Sequence, residues 1–528
     1  MIFIKNLIKD IGVRRLFTID ELTINPNDKL ALIGNNGVGK TSLLKIIAGL
    51  DKDYEGSLEV KESISYIGEE DIISSEIYGL AGLKVDEQLS PGEEQRLNLT
   101  ILLNRKESFL LVDEPTSHLD LDQQEVLAKT LIEREKGYIL ISHDRNFINQ
   151  SCDRLVELID GKLEIYNGNY SFYLEERLRR RKFAQKEYDN YLAEKKHLEG
   201  VETYLEGQRA RIRTAPKRMG NSEARLHKMG GQGNKRKMDN QIKSVRSRLE
   251  RLEVKERPKA ESEILLLMPE EERIHSKILI RSESLNKSFG NKVLFNKAEF
   301  EIKNGSKTAL IGPNGSGKTT LLKMIIQGEG IWLHPNLKIG YYSQLEETIN
   351  TEKSILNNIL TSSIYDQTLT RIVLARLAFK EDDVHKKVEV LSDGERAKVK
   401  LAKILTSNFN FLIFDEPTNY LDLRAIEALE ELLEAYDRSF IFVSHDVNFI
   451  NKIATNLLII EDKKLKAFEG NFQEYKNRKN NPIKADEDSY MIDFRLSSIN
   501  SRLTMDISKE ERESLEEEYK ELIRLKKK

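Results

Sequence analysis

Cysteine is nearly absent: Cys152 stands alone among 528 residues. One thiol excludes an internal disulfide and any metal site built from several cysteines. It is expected as a small buried hydrophobe, and a chain without disulfides suits a reducing cytosol. No apolar run approaches the roughly 18–20 residues that a membrane-crossing helix needs. The start, Met1-Ile2-Phe3-Ile4-Lys5, lacks the basic-then-apolar order of a secretory signal. These absences predict a cytoplasmic protein with no membrane partner. Net charge is also nearly absent, since 84 Lys+Arg against 87 Asp+Glu leave −3.

The chain is too long for one ordinary domain. At 39% hydrophobic and 32% charged, it can build water-soluble cores. Its charge is unevenly placed. Residues 175–260 hold 25 Lys+Arg and 13 Asp+Glu, a local +12, so the rest carries −15. Within that stretch, residues 207–237 hold ten cations and one acid, Glu223. Ten cations to one acid suggest a polyanionic partner. RNA is the expected one, because no motif for reading duplex DNA accompanies them.

A set of motifs occurs twice. Gly34-Asn35-Asn36-Gly37-Val38-Gly39-Lys40-Thr41-Ser42 and Gly312-Pro313-Asn314-Gly315-Ser316-Gly317-Lys318-Thr319-Thr320 both contain GxxxxGK[ST]. Each follows a short apolar run, Ala31-Leu32-Ile33 or Ala309-Leu310-Ile311, expected as a buried strand. Next come Leu89-Ser90-Pro91-Gly92-Glu93 and Leu391-Ser392-Asp393-Gly394-Glu395. Apolar runs ending in Asp113-Glu114-Pro115-Thr116 and Asp415-Glu416-Pro417-Thr418 follow, then Ser142-His143-Asp144 and Ser444-His445-Asp446. Lys40 to Lys318 spans 278 residues, whereas Ser90–Ser392, Glu114–Glu416 and His143–His445 each span 302. The 24-residue difference lies between the glycine-rich loop and the Leu-Ser motif. There the second copy has Tyr341-Tyr342-Ser343-Gln344, and the first has Tyr66-Ile67-Gly68-Glu69. If Glu69 matches Gln344, the first copy has room for little more than one helix in this interval.

The four motifs, twice and in order, resemble those of the ATP-binding cassette (ABC) family. That resemblance implies two α/β P-loop ATPase domains. Backbone N–H groups of each glycine-rich loop would face phosphate at a helix N-terminus. Lys40 and Lys318 would neutralise the β- and γ-phosphates of ATP. Thr41 with Asp113, and Thr319 with Asp415 and Gln344, would hold Mg²⁺. Glu114 and Glu416 would polarise the attacking water, and His143 and His445 would contact the γ-phosphate. Phe289 fits a base-stacking position, where the first copy offers Ile11. The other histidines, including His118 after the first Asp-Glu pair, are ordinary. In this family the Leu-Ser motif of one cassette closes over the ATP of the other. One composite site would pair Lys40, Glu114 and His143 with Ser392 and Gly394; the other would pair Lys318, Glu416 and His445 with Ser90 and Gly92. Pro91 and Asp393 depart from the usual LSGGE. Pro91 removes a backbone N–H beside the γ-phosphate, so the two sites are expected to differ in hydrolysis rate.

Between the copies, Tyr191, Leu198, Val201 and Leu205 form one apolar stripe, and Ile242, Val245, Leu249 and Leu252 form another. The pattern predicts an antiparallel helical hairpin, with turns at Thr214-Ala215-Pro216 and Gly230-Gly231-Gln232-Gly233. An arm of some 35 residues would reach roughly 50 Å. Pro258 is expected to end the returning helix. Candidate RNA-binding residues are Arg209, Arg211, Arg213, Lys217, Arg218, Arg225, Lys228, Lys235, Arg236 and Lys237. The expected domains are residues 1–174, a first cassette with a shortened helical subdomain; 175–260, the basic coiled-coil linker; 261–478, a second cassette; and 479–528, a helical C-terminal extension.

Tandem cassettes, a long basic linker and no membrane segment resemble the ABC-F family of ribosome-associated ATPases. Within it the chain is similar to the antibiotic-resistance, ribosomal protection branch of the Vga, Lsa and Vml types. The resemblance implies a monomer whose two cassettes pair intramolecularly on the 70S ribosome. Its linker would reach from the exit site toward 23S rRNA at the peptidyl-transferase centre, beside P-site tRNA. Lincosamides, pleuromutilins or streptogramin A would be displaced there, and ATP hydrolysis would release the protein. A housekeeping ABC-F translation factor is the alternative reading; a transporter ATPase subunit and a DNA-repair ATPase are more distant ones.

Overall fold

The computed structural model describes residues 1–12, 14–67, 108–116, 119–212, 221–255, 266–267, 273–290, 292–343, 349–480, 519 and 523. They form two compact units, Met1–Asn167 with Ile264–Lys528, and Gly168–Glu263.

The larger unit holds the two copies, and each builds the same sheets. In the first, β1 (Ile2–Ile11), β2 (Arg14–Ile24) and β4 (Glu55–Val60) form an antiparallel sheet in the order β2-β1-β4. A six-stranded sheet runs β5-β6-β7-β3-β8-β9. It comprises β3 (Lys29–Gly34), β5 (Ile64–Ile67), β6 (Phe109–Asp113), β7 (Tyr138–Ile141), β8 (Arg154–Ile159) and β9 (Lys162–Tyr166), parallel except for the edge strand β9. Short continuous apolar runs such as Phe109-Leu110-Leu111-Val112 suit a parallel sheet covered on both faces. Helix α1 (Lys40–Ile47) lies between the sheets, burying Leu43, Leu44, Ile46 and Ile47 against Leu30, Leu32, Phe17 and Phe109. Four such side chains contribute about 6–12 kcal/mol of transfer free energy. After β6 come α2 (Leu121–Ile132) and, after β7, α3 (Arg145–Ser151). Cys152 is buried at the end of α3.

The smaller unit consists of two long helices, α4 (Tyr170–Arg211) and α5 (Asn221–Arg251). Asn169 caps α4 by accepting from Phe172 N–H at 3.1 Å. The helices run antiparallel. Arg209 pairs with Asp239 at 2.6 Å, Arg246 with Glu202 and Glu206, and Lys255 with Glu187. Leu198 and Ile242 are the buried members of the two apolar stripes. Two expectations fail here. Gly230-Gly231-Gln232-Gly233 is helix, not a turn. Three glycines cost about 3 kcal/mol in a helix, which weakens α5 without forbidding it, because Gly has no clash with helical backbone as proline has. The returning helix also ends at Arg251, well before Pro258. At about 1.5 Å per residue, the 42 residues of α4 span roughly 63 Å, longer than expected.

The second copy repeats the plan. β10 (Ile278–Phe289), β11 (Lys292–Lys303) and β13 (Trp332–Leu333) form the antiparallel sheet. The six-stranded order is β14-β15-β16-β12-β17-β18. Its strands are β12 (Lys307–Ile311), β14 (Ile339–Tyr342), β15 (Phe411–Asp415), β16 (Ser439–Val443), β17 (Asn456–Glu461) and β18 (Lys464–Glu469). Helix α6 (Lys318–Gln327) matches α1. A helical subdomain follows: α7 (Ile355–Leu360), α8 (Gln367–Arg376) and α9 (Asp393–Thr406). The corresponding stretch of the first copy, including Glu69, Ser90, Pro91 and Gly92, lies outside the described residues, as does Gln344. Helices α10 (Leu423–Glu434), α11 (Val447–Ile453) and α12 (Phe472–Asn480) complete the unit. The expected C-terminal helical pair falls outside the described residues except for Tyr519 and Ile523, both helical.

Candidate functional site

Each glycine-rich loop turns directly into a helix. Gly39 and Gly317 cap α1 and α6 with φ of +102° and +104°, a left-handed conformation that side chains disfavour. A Cβ on Gly39 would also sit 2.8 Å from the Phe17 ring, and one on Gly34 would sit 2.6 Å from the Leu158 carbonyl oxygen. Lys40 Nζ donates to the carbonyls of Gly34 at 2.8 Å and Asn35 at 3.2 Å. Lys318 Nζ makes the same bonds to Gly312 and Pro313 at 2.8 and 3.3 Å. Burial lowers the pKa of both lysines. Neutral carbonyls are weak partners for a half-desolvated ammonium, so a polyphosphate in the loop would attract both lysines more strongly.

Asp113 and Asp415 end β6 and β15, beside the loops. Tyr66 Oη donates to Asp113 Oδ2 at 3.4 Å, and Tyr341 Oη to Asp415 Oδ2 at 3.5 Å. Burial raises the Asp415 pKa against the opposing pull of its bond to Thr319. That hydroxyl–carboxylate pair is the donor set Mg²⁺ uses when substrate phosphates and water supply the other ligands. Among the described residues no group of three or more His, Cys, Asp or Glu could hold a metal by itself.

Glu114 and Glu416 follow with φ of +48° and +53°. Such backbone costs about 1–3 kcal/mol per residue and persists only where neighbours enforce it. Here the N–H of Glu114 donates to Ile141 O, and that of Glu416 to Val443 O. Glu114 Oε1 lies 3.3 Å from His143 Nε2, and Glu416 Oε1 lies 3.1 Å from His445 Nε2. Neither contact has hydrogen-bond alignment, leaving Glu114 Oε1 and Glu416 Oε1 buried acceptors without a donor. Burial pushes the Glu114 carboxyl up to about 7 and that of Glu416 to about 8. It pushes His143 down to about 3, so that imidazole is neutral. A water between these groups would meet a base of raised proton affinity.

The two copies meet across these loops. Asn36 N–H donates to Asp422 Oδ2 at 3.3 Å, and Asn36 Nδ2 to the Tyr420 carbonyl at 2.8 Å. Reciprocally, Asn314 N–H donates to Asp120 Oδ2 at 3.2 Å. A Cβ on Gly394 would come 3.0 Å from Asn36 Nδ2, so the second Leu-Ser-Asp-Gly segment abuts the first glycine-rich loop. Ser392 caps α9 in a reciprocal box with Glu395. A cavity of about 310 Å³ is lined by Ile11, Leu16, Lys40, Thr41, Ser42, Asp113, Glu114 and His143. A second, of about 940 Å³, is lined by groups of both copies: Asn36, Glu114 and His143 with Asn314, Glu416 and His445. Ile11 thus flanks the first loop where Phe289, equally exposed, marks the second copy.

Asp120 and Asp422, which join the copies, are functional residues missed in the sequence. Their signal was present, since they too stand 302 residues apart. On the smaller unit, Lys235, Arg236 and Lys237 are exposed on α5, and Arg211 is exposed at the end of α4. Arg209 is tied to Asp239. Arg225 and Lys228 lie in α5, while Arg213, Lys217 and Arg218 lie outside the described residues.

Comparisons agree with this geometry. A family profile described as "ABC transporter" matches residues 18–78 and 295–419. The ribosome protection protein VmlR of Bacillus subtilis (strain 168) is 31% identical over 494 residues, covering 88% of this chain and 87% of its own. The energy-dependent translational throttle protein EttA of Escherichia coli (strain K12) is 29% identical over 546 residues, covering 88% and 93%. Among solved structures, the RNase-L Inhibitor has a similar fold, with a TM-score of 0.59 at 18% identity over 90% of this chain and 92% of that one.

Proposed function

This chain belongs to the ABC-F family of ATP-binding cassette proteins, and on that premise we propose that it protects the ribosome from antibiotics that occupy the peptidyl-transferase centre. It hydrolyses ATP in its two cassettes. Lys40 and Lys318 exchange their carbonyl partners for the β- and γ-phosphates. Thr41 with Asp113, and Thr319 with Asp415 and Gln344, would hold Mg²⁺, which supplies neutralisation of phosphate charge when bound. Glu114 and Glu416 accept the proton of the attacking water, and His143, through its neutral ring, and His445 hold that water. Ser392 and Gly394 would complete the Lys40 site from the opposite cassette, and by the repeat Ser90 and Gly92 would complete the Lys318 site.

The observation that carries the reading is one chain joining two cassettes that meet at their glycine-rich loops to a helical hairpin with ten cations and one acid at residues 207–237. Such a tip attracts a polyphosphate backbone in a salt-dependent way, and the similarity to VmlR favours ribosomal RNA and P-site tRNA as that backbone. ATP would hold the protein in the exit site with the arm displacing a lincosamide, pleuromutilin or streptogramin A, and hydrolysis would release it. In the cytoplasm it would act as a monomer. The similarity to EttA favours a second reading, a housekeeping factor that acts on stalled ribosomes.

Co-sedimentation of the Glu114→Gln/Glu416→Gln double variant with 70S ribosomes tests the shared premise. ATP-dependent association is expected; none in any nucleotide state overturns both readings. Drug susceptibility with and without the gene then separates them, a housekeeping factor leaving it unchanged.

A further inference from the structure

The two cassettes follow one plan, yet a buried ion cluster joins them in one direction only. Arg145, the first residue of α3 in the first cassette, donates from Nη2 to Glu430 and, at 3.1 Å, to Asp446 Oδ2 in the second. All three side chains are buried. Lys452 Nζ adds a contact to Glu430 Oε2 at 3.2 Å from within the second cassette. At the 302-residue register, Val447 stands opposite Arg145 and Ala128 opposite Glu430. Helices α2 and α10, and α3 and α11, keep that register end to end. The reciprocal cluster therefore cannot form.

Asp446 directly follows His445. Its Oδ1 accepts from the N–H groups of Asn448 and Phe449 at 2.8 and 3.0 Å, capping α11, and its own N–H donates to Ser444 Oγ at 3.1 Å. Oδ2 belongs to Arg145. The loop carrying His445 is thus held by backbone caps on one side and by the opposite cassette on the other. Asp144, the matching residue after His143, accepts from Phe147 N–H at 2.9 Å and has Ala128 and Val447 where Asp446 has Glu430 and Arg145. Burial and the neighbouring Asp446 charge push its carboxyl up to about 7.

We propose that Arg145 is a positioning residue acting across the cassette interface: it fixes Asp446, and through it the His445 loop of the Lys318 site, with no reciprocal device among the described residues serving the Lys40 site. The proposal rests on the reading of these sites as ATPases. Closure of the cassettes is then sensed by one switch histidine only, and the two sites are unequal for a reason separate from Pro91.

The test isolates each site. Glu114→Gln leaves the Lys318 site to turn over, and Glu416→Gln leaves the Lys40 site. Arg145→Met is added to each, and kcat and KM for ATP are measured. Misplacing a group by even a fraction of a bond length lowers kcat alone. The expected result is a fall in kcat of about tenfold or more in the Glu114→Gln background, with KM moved less than about twofold, against less than about twofold in the Glu416→Gln background. Arg145→Lys should restore most of the loss, because an ammonium can still reach Asp446. Arg145→Met/Glu430→Gln removes one of the two buried carboxylates that Arg145 had paired, so a loss persisting in this variant while its melting temperature recovers excludes a folding defect. Equal losses in both backgrounds, or none, overturn the proposal. Absence of turnover in both backgrounds before Arg145 is changed would instead overturn the ATPase reading, and the proposal with it.

Discussion

Asp144 is a carboxylate in a costly place, and changing it to asparagine should stabilise the protein by an amount that grows as pH rises above about 4 and levels off above about 7. The side chain is buried beside Asp446, whose countercharge Arg145 also engages Glu430. Its proton is held from 3.8 in the unfolded chain up to about 7 in the fold, first by burial and then by Asp446. Below pH 4 both states are protonated and no penalty arises. Between pH 4 and 7 the folded state keeps a proton that the unfolded state loses, so stability falls as pH rises, and the penalty is complete above 7. Its size is up to roughly 4 kcal/mol. Asparagine keeps the cap to Phe147 N–H, a position it fills as well as aspartate. Melting followed at pH 5 and pH 8 should show Asp144→Asn above the parent at both, by several degrees at pH 8 and by roughly two-fifths as much at pH 5. A gain of equal size at both pH values, or a loss at pH 8, would refute the argument that the buried charge is the cause.

Other consequences are equally specific. Gly394→Ala should abolish turnover at the Lys40 site and spare the Lys318 site, because the new methyl would sit 2.8 Å from the Tyr420 carbonyl and 3.0 Å from Asn36 Nδ2; the same single-site backgrounds read this out. Ile11→Phe should tighten ATP binding at the first site by about threefold to tenfold, the range of one aromatic contact worth about 0.5–1.5 kcal/mol, as measured by nucleotide titration in Glu114→Gln protein. Lys398→Met strands Asp422, which accepts from Lys398 Nζ at 3.2 Å while almost fully buried, so it should cost about 3–5 kcal/mol in denaturant unfolding.

The repeat was legible because its motifs hold a fixed register. Strands such as β6 and β15 are continuous apolar runs ending in aspartate, and glycine-rich loops open α1 and α6. Asp120 and Asp422 obey the same 302-residue spacing but carry no motif of their own, and an aspartate at a helix start reads as a cap. Both do cap, α2 and α10, while their second oxygens reach the other cassette. Arg145 and Glu430 were invisible for the opposite reason. They break the repeat, and a pairing between residues 285 apart leaves no periodic trace. Gly230–Gly233 misled because local propensity argued for a turn, whereas its cost is small against a helix that continues on both sides.

Displacement of a radiolabelled lincosamide from 70S ribosomes by the Glu114→Gln/Glu416→Gln variant tests the central claim most directly. With ATP, bound drug should fall in proportion to the protein that co-sediments; with ADP it should stay. Full drug occupancy on ribosomes that carry the ATP-bound protein would contradict ribosome protection as its function.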